Sequence, residues 1–293
     1  MNFFKALFGG KEEDPEDKKK EDESKTFDLM KYDGVKALKM GQFAYSIKCF
    51  NKALEINSED LEVRDYLAQA LIRNNELLPA FEQLQKLADA QPDNQKIFIQ
   101  MAHVAFMMED YGAMADACEK ALLIDKENAE VSYLYARACI GQSDDVNAVA
   151  MLTKAISLNK DYGDAYLLRG ETLLRMGDLD GADEDAAFLL EKSVDNEDVL
   201  ILKARIERGR HNNAQAIEYY NKVIDVNPFS INAFKERGEV KLENGDKEGA
   251  AEDMQQVLEL DPKQTADING EYSAEGVEEK TKQAYQNINP FGL

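Results

Sequence analysis

Few residues in this chain could carry out covalent or proton-transfer chemistry. Its 293 residues include only two histidines, His103 and His211, and three cysteines, Cys49, Cys118 and Cys139. A catalytic base needs a group that orients it, and a zinc site needs paired ligands at close spacing. Neither pattern surrounds these five residues. Asp178, Asp180, Asp183 and Asp185 superficially suggest a calcium loop, but Gly181 stands fourth from Asp178 rather than sixth and no glutamate stands at the twelfth position. These acids read instead as the start of a helix, whose dipole favours carboxylates. Gly9-Gly10-Lys11 lacks the rest of a phosphate-binding loop. No metal, no cofactor and no enzymatic activity are therefore expected. Cys118 and Cys139 read as small apolar core fillers, and Cys49, beside the core position of Phe50, is the thiol to test for reactivity.

The elements that carry these residues are helical. Six Pro and 17 Gly, with Ala, Leu, Glu, Lys and Asp abundant, exclude an all-β fold and point to helices with short connections. Hydrophobic residues make up 44% of the chain, enough for a core. Lys+Arg 35 against Asp+Glu 57 leaves a net charge of −22, which repels nucleic acid. Apolar runs such as Val104–Met108 are far shorter than the roughly 18 residues that span a bilayer, so no integral membrane span is expected. The opening Met-Asn-Phe-Phe-Lys-Ala-Leu-Phe-Gly-Gly is followed by acidic residues rather than a cleavage site. That and the unpaired thiols fit a cytoplasmic protein.

Sliding the sequence against itself reveals a 34-residue repeat, with units at 27–60, 61–94, 95–128, 129–162, 163–196, 197–230 and 231–264. The eighth residue is always small: Gly34, Ala68, Ala102, Ala136, Gly170, Ala204 and Gly238. The twentieth is Ala in all units except those with Ser46 and Met114. Small side chains let helices approach closely, so these two positions are expected to face each other at a helix crossing. An apolar pair such as Ala53-Leu54 or Val257-Leu258 marks the buried stripe of the second helix. Gly41, Asn74-Asn75, Gly141, Gly177, Asn212-Asn213 and Gly245 are expected to end the first helices. Each unit is thus two short antiparallel helices that bury their apolar faces only by stacking.

This pattern resembles the tetratricopeptide repeat family, whose units carry a small residue at position 8, Gly at 15, Ala at 20, an aromatic at 24, Ala at 27 and Pro at 32. Gly170, Gly177, Ala182 and Leu189 match it in the fifth unit, and Gly238, Gly245, Ala250 and Pro262 in the seventh. The family's tryptophan position holds Met30, Arg64, Phe98, Ser132, Tyr166, Leu200 and Phe234 instead. The resemblance implies an all-α, right-handed α-solenoid of antiparallel helix pairs, the tetratricopeptide superhelix. It also implies a non-enzymatic scaffold that binds a peptide segment of a partner protein in a concave groove lined by positions 2, 5, 6, 9, 12 and 13.

Transferring positions 5 and 6 gives Ile99-Gln100, Tyr133-Leu134, Leu167-Leu168 and Ile201-Leu202, an apolar stretch bounded by Lys31, Asp65, Lys235 and Glu236. His103, Arg137, Arg175, Arg205 and Arg208 lie beside it. One reading is a groove in which apolar side chains hold a partner segment and arginines orient its carboxylates. The other is that several of these leucines face the neighbouring helix and enlarge the core. The residues with which family members clamp chaperone tails are not matched, since Lys31, Val35, Tyr66, Lys96 and Gln100 stand at those positions.

Two segments lie outside the repeats. Every residue from 11 to 25 except Pro15 and Ser24 is charged, so 11–26 is expected to be a disordered tether. Ahead of it, in 1–10, Phe3, Phe4, Leu7 and Phe8 form an amphipathic cluster that could anchor the protein peripherally to a membrane or to a partner. This gives the alternative function, a membrane-recruited adaptor. In 265–293, Ser273 is a candidate N-cap for a helix from 274 to 286 that would cap the last unit.

Overall fold

The computed structural model describes residues 15–261, which are helical with no strand among them. The chain divides into two compact bodies, one ending at Asp144 and the other beginning at Asp145. The first holds α1 (Pro15–Lys39), α2 (Phe43–Ile56), α3 (Leu61–Arg73), α4 (Leu77–Ala90), α5 (Gln95–Met107), α6 (Tyr111–Ile124) and α7 (Ala129–Gly141). The second holds α8 (Asp145–Leu158), α9 (Gly163–Arg175), α10 (Leu179–Lys192), α11 (Glu197–Gly209), α12 (Asn213–Val226), α13 (Ile231–Glu243) and α14 (Lys247–Leu260). From α3 onward each first helix starts at the first residue of a 34-residue unit, and within each body successive helices pack side by side.

The crossing of each helix pair is built from the small positions. Ser46 Oγ donates to the Gly34 carbonyl at 2.8 Å, so positions 20 and 8 meet, and the serine exception is satisfied by that bond. A Cβ on Gly34 would stand 2.5 Å from the Phe50 ring, and one on Gly170 would stand 2.8 Å from Leu202 Cδ2. Close approach leaves no room for either. In the first body the core runs through Leu38, Phe50, Val63, Leu67 and Leu71 to Leu84, Phe98, Met101, Met114 and Val131. In the second it gathers Ala182, Ala186, Leu202 and Ile206, then Ala204, Ala216, Tyr220 and Val240.

The turn inside each repeat is the most regular feature of the backbone. Gly41, Asn75, Glu109, Ser143, Gly177, His211 and Gly245 all have φ between 57° and 84°, and all stand at position 15 of their units. The bonds around Gly177 show why: its N–H donates to the Leu174 carbonyl at 3.0 Å, and the next N–H, of Asp178, donates to Leu173 at 2.9 Å. This left-handed cap satisfies carbonyls that would otherwise be orphaned at the helix end. Asp110, Asp178 and Asp246 at position 16 then cap the second helix, each carboxylate accepting from a backbone N–H three residues on. Two expected stops shift. In the fourth and sixth units the left-handed residues are Ser143 and His211, while Gly141 is the last residue of α7 and Asn213 the first of α12.

One expectation about the flanks is corrected. The charged segment expected as a disordered tether over 11–26 is helical from Pro15, continuous with the first repeat as α1, although Glu16 to Thr26 are all exposed. Pro15 sits at the first helical position, where it loses no hydrogen bond, and Glu16 and Asp17 lie in the first turn. Lys25 pairs with Glu21 at 2.7 Å along the exposed face. Because the buried half of α1 is already helical, this half extends it without a new nucleus. The apolar segment 1–10 and the capping helix and tail over 265–293 lie outside the described residues.

Glycine at φ near +60° avoids the Cβ clash that other residues meet there, so Glu109→Gly is expected to stabilise the first body by about 0.5–1 kcal/mol, with Gly177→Ala destabilising the second by a similar amount or more. Urea unfolding of the two variants, followed by helical circular dichroism, checks both signs.

Candidate functional site

In the first body, the expected groove positions of α5 and α7 are held in register by side-chain bonds that run from the start of α5 to the N-cap of α7. Asn128 Nδ2 donates to Gln95 Oε1 at 2.9 Å, while Asn128 Oδ1 caps α7 by accepting from Val131 N–H at 3.1 Å. Gln95 Nε2 in turn reaches the Ala121 carbonyl at 2.9 Å. On the helices so placed, the Arg137 guanidinium lies 3.7 Å from the centre of the Phe106 ring and 5.9 Å from that of Tyr133. Stacking on two rings orients the planar cation without neutralising it. Among the described residues no carboxylate pairs with Arg137. His103 is exposed, with Nε2 3.4 Å from Glu130 Oε1, and Met107 stands beside the cluster's Phe106 at 48% exposure. On α3, Asp65 is half-buried with the Gln69 amide 2.7 Å away, and burial raises its carboxyl above the ordinary carboxylate value.

The expected groove residues separate into two groups here. Ile99 and Tyr133 are half-buried, and Ile99 rests against the core, so each keeps an accessible edge. Leu134, expected to line the groove, is instead a core residue at 2% exposure, among Met114, Cys118 and Val131. Phe106 and Met107 were not singled out in the sequence, although they occupy positions 12 and 13 of the third unit. What marks them is their pairing with Arg137 one repeat later.

In the second body the arginines that were to orient a ligand already have carboxylates. Arg175 grips Asp145 with two nitrogens at 2.9 and 2.5 Å. Arg205 does the same to Glu236 at 2.8 and 2.5 Å, and the buried Tyr220 hydroxyl donates to that carboxylate at 2.8 Å. Arg208 bonds Glu239 at 2.7 Å and Glu243 at 2.5 Å. All these partners lie about one repeat away, so the cations staple neighbouring repeats together instead of waiting for a ligand. Ile201 and Leu202 are buried in the core, and Leu167 packs against the same core from a half-buried position, with Leu168 also half-buried. Ile201 and Leu202, expected to line the groove, are therefore core residues needed for stacking, and Arg175 and Arg205 are paired within the chain.

The remaining candidates for chemistry are likewise occupied. Asp178 is an N-cap, Asp180 pairs with Arg210 at 2.7 Å, Asp183 with Lys203 and Arg210, and Asp185 is gripped by Arg169 at 2.8 and 2.6 Å. Among the described residues no group of acids, histidines and cysteines could hold a metal. All three cysteines are buried, Cys49 included, and burial pushes the Cys118 thiol up to about 12. No described helix is long and apolar enough to cross a membrane.

Residues 201–265 match the family model described as tetratricopeptide repeat. A tetratricopeptide repeat protein from Parabacteroides merdae ATCC 43184 is similar in structure at 16% identity, over 89% of this chain and 99% of that one, with a TM-score of 0.67. PilF of Pseudomonas aeruginosa is similar at 17% identity over 75% and 99% of the two chains, with a TM-score of 0.56. MamA from Desulfovibrio magneticus RS-1, from residue 41 to its end, is similar at 19% identity over 58% and 96%, with a TM-score of 0.54. These likenesses concern the fold. Among curated proteins, none matches the chain in sequence.

Glu171 offers a test of the second body's charge arrangement. Burial raises its carboxyl above the ordinary 4.5, against the pull of Arg205. The folded state then holds that proton more tightly than the unfolded chain does. Its contribution to stability is complete below 4.5 and is lost as pH rises through the raised folded value. Glu171→Gln is expected to be more stable than the parent chain at neutral pH and about equal to it in acid. Urea unfolding at both pH values checks this, and a weaker variant at neutral pH would mean that attraction to Arg175 and Arg205 outweighs the burial cost.

Proposed function

From the seven helix pairs of the described residues, the match of residues 201–265 to the tetratricopeptide repeat model and the likeness in fold to tetratricopeptide repeat structures, we propose that this chain is a non-enzymatic scaffold that binds a peptide segment of a partner protein on the first-helix face of its N-terminal body. The observation that carries this reading is Arg137: a guanidinium held 3.7 Å over Phe106, beside Tyr133, with no carboxylate of the described residues on it. In a chain of net charge −22, where Arg175, Arg205 and Arg208 are each paired with carboxylates of the chain itself, an unneutralised cation pre-oriented on aromatic rings is a place for a carboxylate from outside. Ile99, Phe106 and Met107 supply apolar surface next to it, and His103 a polar edge. The segment best suited to this face carries an acidic side chain or a terminal carboxylate within a residue or two of an apolar one, so that charge gives orientation and apolar contact gives affinity.

Selection from a displayed random peptide library against the full chain tests the assignment. Selected peptides are expected to pair a carboxylate with an apolar residue and to lose about tenfold in affinity to Arg137→Ala, about 1.4 kcal/mol. Met107→Glu, on an exposed side chain, is expected to weaken them comparably. Peptides whose affinity is indifferent to both substitutions would move the binding face elsewhere.

A further inference from the structure

Each repeat after the first buries its third residue against the second helix of the repeat before it. Val63, Ile97 and Val131 do so in the first body, in the clusters that hold Ala53, Leu87 and Ala121 respectively, and Ala165, Val199 and Ala233 are as fully buried in the second. The equivalent residue of the first repeat is Leu29, and it is 54% exposed. Tyr32, at 67%, lies one turn further along the same side of α1, and Met40, at 61%, stands just past its last residue, Lys39. Lys36 stands between them, exposed, where the later repeats of this body place the buried Ala70, Val104 and Ala138. No described element precedes α1, so this stripe is the open end of the stack, with the apolar residues of a stacking face and a single lysine among them.

We propose that residues 2–8 fold back along α1 and cover this face, with Phe3, Phe4, Leu7 and Phe8 standing in for the second helix of a preceding repeat. Those four residues fall at i, i+1, i+4 and i+5, one side of a short helix, which is the spacing needed to lie along a helical stripe. The connection has the right length. Pro15 to Leu29 is about 21 Å along α1, and the residues between Phe8 and Pro15 reach about 23 Å when extended. Phe8 then comes level with Leu29, and a helix continuing in the same direction carries Phe4 and Phe3 towards Tyr32 and Met40. Gly9-Gly10 eases the change from extended chain to helix just after Phe8. Lys5, the one charge within the segment, passes a face flanked by Asp28 and Asp33. The exposed charged turns of α1 serve in this arrangement as the strut that sets how far back the segment must run.

The chain has no tryptophan, so Phe8→Trp in the full-length protein places one reporter in the segment. The expected result is emission shifted to the blue of an exposed indole, independent of protein concentration and unaltered by vesicles of anionic phospholipid. Adding Leu29→Asp or Met40→Asp, both on exposed positions and checked for unchanged helicity, is expected to return the emission to that of exposed indole. Leu7→Trp repeats the test at a second position. Exposed emission from both reporters overturns the proposal. So does a blue shift that grows with concentration alongside a dimer in sedimentation, which makes a second copy the occupant. A blue shift that appears only with vesicles overturns it in favour of a membrane surface.

Discussion

Neither helix of a repeat can bury its apolar stripe alone, and everything else in the structure follows from how closely the two are allowed to approach. The approach is set by side chains at positions 8 and 20 that are small enough to leave only backbone and one large neighbour at the crossing, as Phe50 against Gly34 and Leu202 against Gly170. Those neighbours belong to the stacking core, so the geometry inside a repeat is transmitted to the next repeat through the same atoms. The left-handed residue at position 15 supplies the other constraint. It closes the first helix with two backbone bonds and delivers position 16 to the start of the second, where an aspartate in three repeats completes the cap. With both helix ends satisfied in this way, the short turn needs no further contacts.

Charge is used differently in the two bodies. In the second, Arg169 and Arg237 each grip a nearly buried aspartate of their own repeat while donating to Thr153 and Asn221 of the repeat before. Arg175, Arg205 and Arg208 reach carboxylates of neighbouring repeats. A buried pair of this kind adds little net stability over apolar packing, but breaking it strands a charge, so its effect is to specify one register between repeats. The second body is in this sense self-satisfied. In the first, Arg137 rests on aromatic faces, and the nearest recurrent partners of the ladder are replaced by Phe106 and Tyr133.

The two ends of a stack pose the same problem that each repeat solves internally, because a face shaped for a neighbour has none. Leu29 displays that face at the start of the array, and its exposure contrasts with the complete burial of the corresponding Val63 and Val131. An apolar segment on the same chain, at the end of a helical strut, is the economical cover, since linkage raises its local concentration far above that of any separate molecule.

By itself the sequence determined the helical class, the length of the repeat and the pairing of positions 8 and 20, because these depend on local periodicity and on side-chain size, which are written residue by residue. It also placed the first residue of six helices at the start of their units. The tertiary structure decided which of the apolar residues at positions 5 and 6 were surface. Leu134, Ile201 and Leu202 turned inward because the neighbouring repeat needed their volume, and Ile99 and Tyr133 kept an exposed edge. It also decided the state of each cation. Arg137, Arg175 and Arg205 are indistinguishable as residue types at the expected groove positions, and only the side chain brought opposite each one by stacking, an aromatic ring or a carboxylate about 30 residues away, separates a cation resting on a ring from one neutralised within the chain. The same reason applies to the charged start of α1: composition alone describes a chain that cannot bury itself, whereas attachment to a packed helix removes the cost of nucleation and lets it continue.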